Sequence, residues 1–336
     1  MARYLVVAPN WIGDALMAQP LLARLRAKLP QARIDVLAPA WVAPVMRRMA
    51  EVAGVIETSF EHGRLQLRER WRLGRTLQAL GYDQALVLPN SWKSALLPLF
   101  AGIPIRAGYV GESRYGLLNL LHRKKPGREP MAMHYARLSE EPGTAIAEPL
   151  PEPRLVVDAQ AAQATRERFG VGQPYAVLCP GAEYGPAKRW PYFAELAERM
   201  QVPVLMLGSA KERALAAAIK GRNLAGETTL DEAIELLAGA ALVVSNDSGL
   251  MHLAAALGRP QVALYGSSSP KHTPPLSPHA RVIWLGIECS PCYARECPLG
   301  HFRCMRELSV EQVLGVLGTD PIFPSFSSGK MGSVPL

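Results

Sequence analysis

Short runs of apolar, β-branched residues alternate along this chain with longer stretches whose apolar positions recur every three or four residues. Tyr4 to Ala8, Ile34 to Ala38, Val55 to Thr58 and Ala85 to Leu88 read as buried strands. Ala15 to Leu29, Trp41 to Met49, Leu65 to Leu80 and Ser91 to Phe100 read as the helices that follow them. Such alternation predicts a parallel, doubly wound α/β sheet. The pattern fails between Glu140 and Pro153, where Glu141-Pro142-Gly143 and Pro149-Leu150-Pro151-Glu152-Pro153 have the composition of a linker. It then resumes, with strands at 175–178, 203–207, 241–244 and 261–265 and helices at 159–169, 191–200, 211–219, 230–238 and 249–257. The chain therefore divides into domains 1–153 and 154–316, alike in architecture but not in sequence, and a Pro-, Ser- and Gly-rich tail, 317–336, expected to be mobile.

Two stretches of the second domain have the form of ligand loops. Val243-Val244-Ser245-Asn246-Asp247-Ser248-Gly249-Leu250-Met251-His252 reads as strand, tight turn and helix. Asp247 or Ser248 can cap that helix, Gly249 permits close approach to the backbone, and His252 lies one turn in. The free N–H groups of the first turn and the macrodipole suit an anion, a diphosphate above all. An ordinary strand-to-helix turn would look the same. The second stretch, Leu178 to Pro191, also leaves a strand and delivers Lys188 and Arg189 just before a helix. If both strand ends belong to one sheet, backbone donors and a cation converge at its carboxyl edge, where open α/β sheets bind ligands.

Composition narrows the classes. With 336 residues, 49% apolar and 20% charged, the chain is globular, and no apolar run approaches the length of a membrane span. The N-terminus lacks the pattern of a secretory signal, so a cytoplasmic protein is expected. A net charge of +8 suits nucleic acid, an anionic membrane surface or a phosphorylated substrate. After the first strand the chain reads Pro9-Asn10-Trp11-Ile12-Gly13-Asp14 rather than G-x-G-x-x-G, and there is no Walker lysine, which argues against a dinucleotide-dependent oxidoreductase or an ATPase. Basic and aromatic residues are not interleaved as a nucleic-acid module needs, so no nucleic-acid partner is expected.

Three groups of side chains remain. Asp14 either caps its helix or serves as a general base at the edge of the first sheet. Arg64, Arg68, Arg72 and Arg75 fall within roughly an 80° arc if they share one helix. They form either a solvated face or a clamp for phosphates or an anionic bilayer. Cys289, Cys292, Cys297 and Cys304, with His301 between the last two, have partly zinc-like spacing and imply either a structural zinc or reduced thiols.

Pro9 to Met17, Leu88-Pro89-Asn90-Ser91-Trp92-Lys93-Ser94, Pro180 to Pro191, Ser245 to His252 and Ala263 to Pro270 together resemble the ADP-heptose:lipopolysaccharide heptosyltransferases, with the nearest likeness to the type II branch. The likeness runs from about residue 2 to about residue 316. It implies a GT-B fold, two Rossmann-like doubly wound domains facing across a cleft, the first on the acceptor side and the second holding the donor. It implies inverting, metal-independent transfer of L-glycero-D-manno-heptose from ADP-heptose to the first heptose of the lipopolysaccharide inner core. The type I enzyme or another inner-core ADP-sugar transferase is the nearest alternative. No cofactor is required, and the setting is the cytoplasmic face of the inner membrane, to which the enzyme attaches peripherally. The family's base falls on Asp14, and its donor contacts on Glu183, Tyr184, Lys188, Asp247, Ser248, Gly249 and His252, with Thr228 near the adenine. Asn10, Arg64, Arg68 and Arg72 become acceptor contacts.

Overall fold

The structure, a computed structural model, describes residues 1–60, 63–124 and 127–319. The chain separates into two units, Met1 to Leu155 and Val156 onward. Each is built around one six-stranded, all-parallel sheet.

In the first unit the strands are β1 (Arg3–Val7), β2 (Arg33–Pro39), β3 (Gly54–Thr58), β4 (Gln84–Val87), β5 (Ile105–Tyr109) and β6 (Leu120–His122), in the order β3-β2-β1-β4-β5-β6. The second unit holds β7 (Ala176–Cys179), β8 (Val204–Met206), β9 (Arg222–Asn223), β10 (Leu242–Asn246), β11 (Gln261–Tyr265) and β12 (Ala280–Trp284), in the order β12-β11-β10-β7-β8-β9. Both are the doubly wound order, in which the chain starts at a central strand, winds to one edge and returns to wind to the other. Helices cover both faces, so the central strands have no polar side. Leu5, Val87, Leu178, Val244 and Leu264 are all buried, and the apolar runs are continuous because of it. Each unit closes its own core. Leu5, Leu37, Val87, Leu97 and Leu118 pack in the first. Leu178, Phe193, Met206, Val244, Met305 and Val313 pack in the second.

The structure departs from the sequence expectation where side-chain pattern is weak. The helix expected over Ala15 to Leu29 is two helices, Ile12–Met17 and Gln19–Lys28. Pro20, in the first turn of the second, has no N–H to give the preceding turn, so the helix restarts there. Strands β5, β6, β9 and β12 were not expected. The β5 sequence, Ile-Arg-Ala-Gly-Tyr, carries a charge and a glycine. That glycine is needed, since a Cβ at Gly108 would sit 2.9 Å from the Val87 carbonyl oxygen. β9 is two residues long, and β12 is a sheet edge exposed at Val282. At the C-terminal end a helix spans Val310–Thr319, with Leu317 buried, so the start of the expected tail is helical and the rest of it lies outside the described residues.

Candidate active site

The two ligand loops of the second unit meet. β10 and β7 are neighbours at the point where the strand order reverses, so their carboxyl ends flank the crevice in which such sheets take ligands. β7 opens into the loop that carries Lys188, and β10 opens into Asp247-Ser248-Gly249. There the Lys188 ammonium donates to Asp247 Oδ2 at 2.5 Å, and the Ser268 hydroxyl donates to the same oxygen at 2.5 Å. Both members of the ion pair are largely buried, with side-chain exposures of 15% and 5%.

The carboxylate of Asp247 is thus engaged with Lys188, and Ser248 takes the N-cap of the Gly249–Ala256 helix, its Oγ accepting from the Met251 N–H at 3.4 Å. An ammonium has three donors and Asp247 occupies one, so Lys188 is oriented rather than exhausted. Its Nζ lies 4.9 Å from the centre of the Tyr184 ring, which the Arg295 guanidinium approaches at 5.3 Å. The Tyr184 hydroxyl is fixed by donating to the Tyr293 carbonyl at 2.6 Å. Lys188 and Asp247 offset each other's charge. Arg295 and the positive end of the Gly249–Ala256 helix then bias this edge toward an anion.

Two features that sequence reasoning missed hold this arrangement. Asn246 is fully buried, donates to the carbonyls of Pro180 at 2.8 Å and Gly181 at 3.3 Å, and accepts from the Trp190 N–H at 3.0 Å. One side chain at the end of β10 therefore clamps both ends of the Lys188 loop. Gly185 has φ +152°, and a Cβ there would lie 2.3 Å from the Arg295 carbonyl oxygen, so the loop closes on the Tyr293–Arg295 segment only with glycine.

The other expected donor residues are placed less centrally. His252 is buried, and desolvation lowers its pKa to about 4 against the opposing pull of Asp247, with Lys188 adding a smaller lowering. It is a neutral imidazole at pH 7 and adds no cation. Glu183 is exposed and pairs with Lys211 at 2.7 Å. Thr228 is half-buried in the turn after β9, just before the helix Leu230–Ala238 that Thr229 caps.

In the first unit the order reverses between β1 and β4, and the expected residues sit on the loops that follow these strands. Asp14 lies within the first turn of the Ile12–Met17 helix, whose N-cap is Trp11, so capping is not its role. Its carboxylate is hydrogen-bonded to the hydroxyl of Tyr135, from the helix Met131–Ala136. Burial above all, and then the charge of Asp14, push the Tyr135 pKa well up, so the phenol stays a proton donor to Asp14. Tyr135 is distant in sequence and nothing local marked it.

Asn10, Trp41, Arg70, Asn90, Lys93 and Glu112 help to line a cavity of about 400 Å³ beside these loops. Arg114, fully buried, shapes its wall by donating to the Pro89 carbonyl at 2.6 Å and to the Tyr109 carbonyl, and burial lowers its pKa to about 10. The arginine stripe needs correction. The helix begins at Leu67 after Gln66, whose φ of 46° is left-handed, so Arg64 precedes the helix and only Arg68, Arg72 and Arg75 share its exposed side. Arg70, which the sequence did not single out, is the arginine that reaches the cavity.

The zinc expectation is not supported. Among the described residues no three His, Cys, Asp or Glu side chains are grouped to hold an ion, and all five cysteines are free thiols. Cys304 is part of the apolar core, with its sulfur turned toward Gly266, whereas Cys292 is exposed.

Comparison with known proteins identifies the family. Residues 70–303 match glycosyltransferase family 9 (heptosyltransferase). The chain is 44% identical to lipopolysaccharide heptosyltransferase 2 of Escherichia coli K12, over 93% of this chain and 96% of that one. It is 43% identical to lipooligosaccharide heptosyltransferase 2 of Haemophilus influenzae, over 84% and 88% of the two chains. The solved structure of E. coli ADP-heptose LPS heptosyltransferase II matches with a TM-score of 0.85 at 42% identity, covering 96% of this chain and 99% of that one. The two doubly wound sheets are those of the GT-B fold. On these grounds the chain belongs to glycosyltransferase family 9, the heptosyltransferases.

Proposed function

We propose that this enzyme transfers L-glycero-D-manno-heptose from ADP-heptose to the first heptose of the lipopolysaccharide inner core, with inversion at the anomeric carbon. The observation that carries the reading is the Lys188–Asp247 pair at the β7–β10 crevice, beside a helix N-terminus and Tyr184. It is a site for a diphosphate, and the similar chains named above are heptosyltransferases of the second type.

The chemistry assigns one task to each unit. The Asp14 carboxylate, oriented by Tyr135, takes the proton of the acceptor hydroxyl. The freed oxygen forms a bond to the anomeric carbon from the face opposite the diphosphate. The bond from that carbon to the diphosphate oxygen breaks, and ADP leaves with the electron pair. Lys188 and the N–H groups of the Gly249–Ala256 helix stabilise the charge that develops on it. A fixed ammonium at the leaving group does what a divalent ion would otherwise do, so the reaction needs no metal. Glu183 and Thr228 contribute donor contacts, the latter toward the adenine. Asn10, Arg64, Arg68 and Arg72 serve the acceptor, whose phosphates and carboxylates suit arginine. No described helix is long and apolar enough to cross a membrane, and the enzyme reaches its glycolipid from the cytoplasmic face of the inner membrane as a peripheral protein.

The test is direct. Purified enzyme is given ADP-heptose with either heptosyl-Kdo2-lipid A or Kdo2-lipid A, and ADP release and product mass are followed. Turnover with the heptosylated acceptor alone is expected. Transfer only to Kdo2-lipid A would make the enzyme type I, and inertness toward both would remove the reading.

A further inference from the structure

The Tyr135 hydroxyl meets Asp14 from a helix of only six residues, Met131–Ala136. A helix so short is not stable by its own hydrogen bonds, and its place is set by what packs against it. Next to Tyr135 that partner is Tyr109, the last residue of β5, which makes two contacts with one residue. Its hydroxyl donates to the His134 carbonyl at 2.6 Å. Its ring lies flat on the His134 imidazole, with centres 3.8 Å apart and planes within 11°. The imidazole in turn meets the Tyr135 ring edge-on, at 5.6 Å and 68°. Tyr109, His134 and Tyr135 are all buried.

The carbonyl that Tyr109 holds belongs to the peptide joining His134 to Tyr135. That unit is planar, so fixing its oxygen fixes the direction in which the Tyr135 Cα leaves it. Tyr109 is itself anchored. It pairs with His122 of β6, and its own carbonyl accepts from Arg114, the arginine that shapes the cavity wall. Burial, and then the charge of Glu129, push its pKa well up, so the phenol keeps the proton it donates. On the other side of the imidazole, Glu129 lies 3.7 Å from His134 Nδ1 and pairs with Arg137 at 2.9 Å. Phenylalanine would fill the same space, but only a hydroxyl grips the peptide.

We propose that Tyr109 is a positioning residue for the base: its hydroxyl holds the His134–Tyr135 peptide and its ring holds the His134 imidazole, and together they aim the Tyr135 hydroxyl at Asp14. The proposal rests on the reading of Asp14 as the base. Reacting groups must be held to within about half an ångström of their working geometry, and a misplacement of about 1 Å costs up to about a hundredfold in rate. The competing role for Tyr109 is core filling alone.

The experiment follows turnover of ADP-heptose and heptosyl-Kdo2-lipid A by the full chain over a pH series, with ADP affinity measured alongside. Tyr109→Phe keeps the stacked ring and loses the bond to the carbonyl. It should lower kcat by about three- to tenfold, move the acidic limb of the pH–rate profile to higher pH as Tyr135→Phe does, and leave ADP affinity unchanged. Added to Tyr135→Phe it should cause no further fall, because no hydroxyl is left to aim. His134→Phe keeps a flat ring and the same carbonyl and should stay near wild type, whereas His134→Ala loses the stack and should shift the limb. Should Tyr109→Phe not fold, the two His134 variants carry the same test. An unmoved limb, or a fall in kcat that multiplies with that of Tyr135→Phe, overturns the proposal and leaves Tyr109 a core residue. Asp14→Asn tells the two failures apart. Wild-type turnover in that variant removes the base reading and this proposal with it. Lost turnover there beside an unmoved limb in Tyr109→Phe removes the role of Tyr109 alone.

Discussion

Removing Lys188 should damage stability and catalysis by different routes, and a second substitution should separate them. Lys188→Met leaves Asp247 as a carboxylate 5% exposed without its cation. Breaking a buried pair from one side costs about 3–5 kcal/mol, because the orphaned charge remains. Here Ser268 still donates to Asp247 Oδ2 at 2.5 Å, which brings the expected loss to about 2–4 kcal/mol. For a unit of this size that is a fall in Tm of roughly 5–12 °C. The double variant Lys188→Met with Asp247→Asn removes the stranded charge and should recover most of that loss, since an amide can still accept from Ser268. Catalysis should not recover. The stabilisation of departing ADP is gone in both variants, with kcat/KM down by about 10²–10³. Thermal unfolding and steady-state kinetics on the wild type and the two variants supply both readouts. Should turnover return together with stability in the double variant, Lys188 would be a structural cation only and the diphosphate assignment would fall.

Four shorter predictions follow from other parts of the site. Tyr135→Phe removes the donor to Asp14 and should lower kcat while leaving ADP affinity unchanged; because the lost bond favoured the carboxylate, the acidic limb of the pH–rate profile should move to higher pH, and an unmoved limb would contradict the pairing. His252 has its pKa lowered from 6.5 to about 4 by burial, so the unfolded chain binds this proton first as pH falls: stability is full above about 6.5 and declines by about 3 kcal/mol toward pH 4. His252→Gln should flatten that decline in denaturant titrations at several pH values. Gly185→Ala forces a Cβ to 2.3 Å from the Arg295 carbonyl oxygen and should raise the donor KM several-fold at a stability cost of about 1–3 kcal/mol, readable by ADP calorimetry and unfolding. Chelation with EDTA should leave turnover intact, and a loss restored by added magnesium would show that Lys188 does not suffice.

What could be seen in the sequence was whatever burial imposes on neighbouring positions. The central strands are covered on both faces, so β1, β4, β7, β10 and β11 stand out as largely apolar runs, and the loops after β1, β7 and β10 carry Asp14, Lys188 and Asp247. Edge strands carry no such demand, and β6 and β9, three and two residues long, are held by backbone pairing that no side chain reports. The supporting residues were hidden for a related reason. Asn246 meets Pro180 across 66 residues, and Tyr135 comes to Asp14 from a helix near the end of the first unit. Long-range polar contacts leave no periodic trace. The cysteine spacing, which allowed either a structural zinc or reduced thiols, gains no support for the zinc, since among the described residues no three ligands are grouped to hold an ion.

The two sheets share one winding order, yet each completes its own core and its own ligand loops, with Asn246 bracing one crevice from within and Arg114 bracing the other. On the proposed reading, recognition of the nucleotide and choice of the recipient are written in separate halves of the gene. Replacing the first 155 residues with those of a relative that decorates a different glycan should redirect the sugar without rebuilding the half that holds ADP.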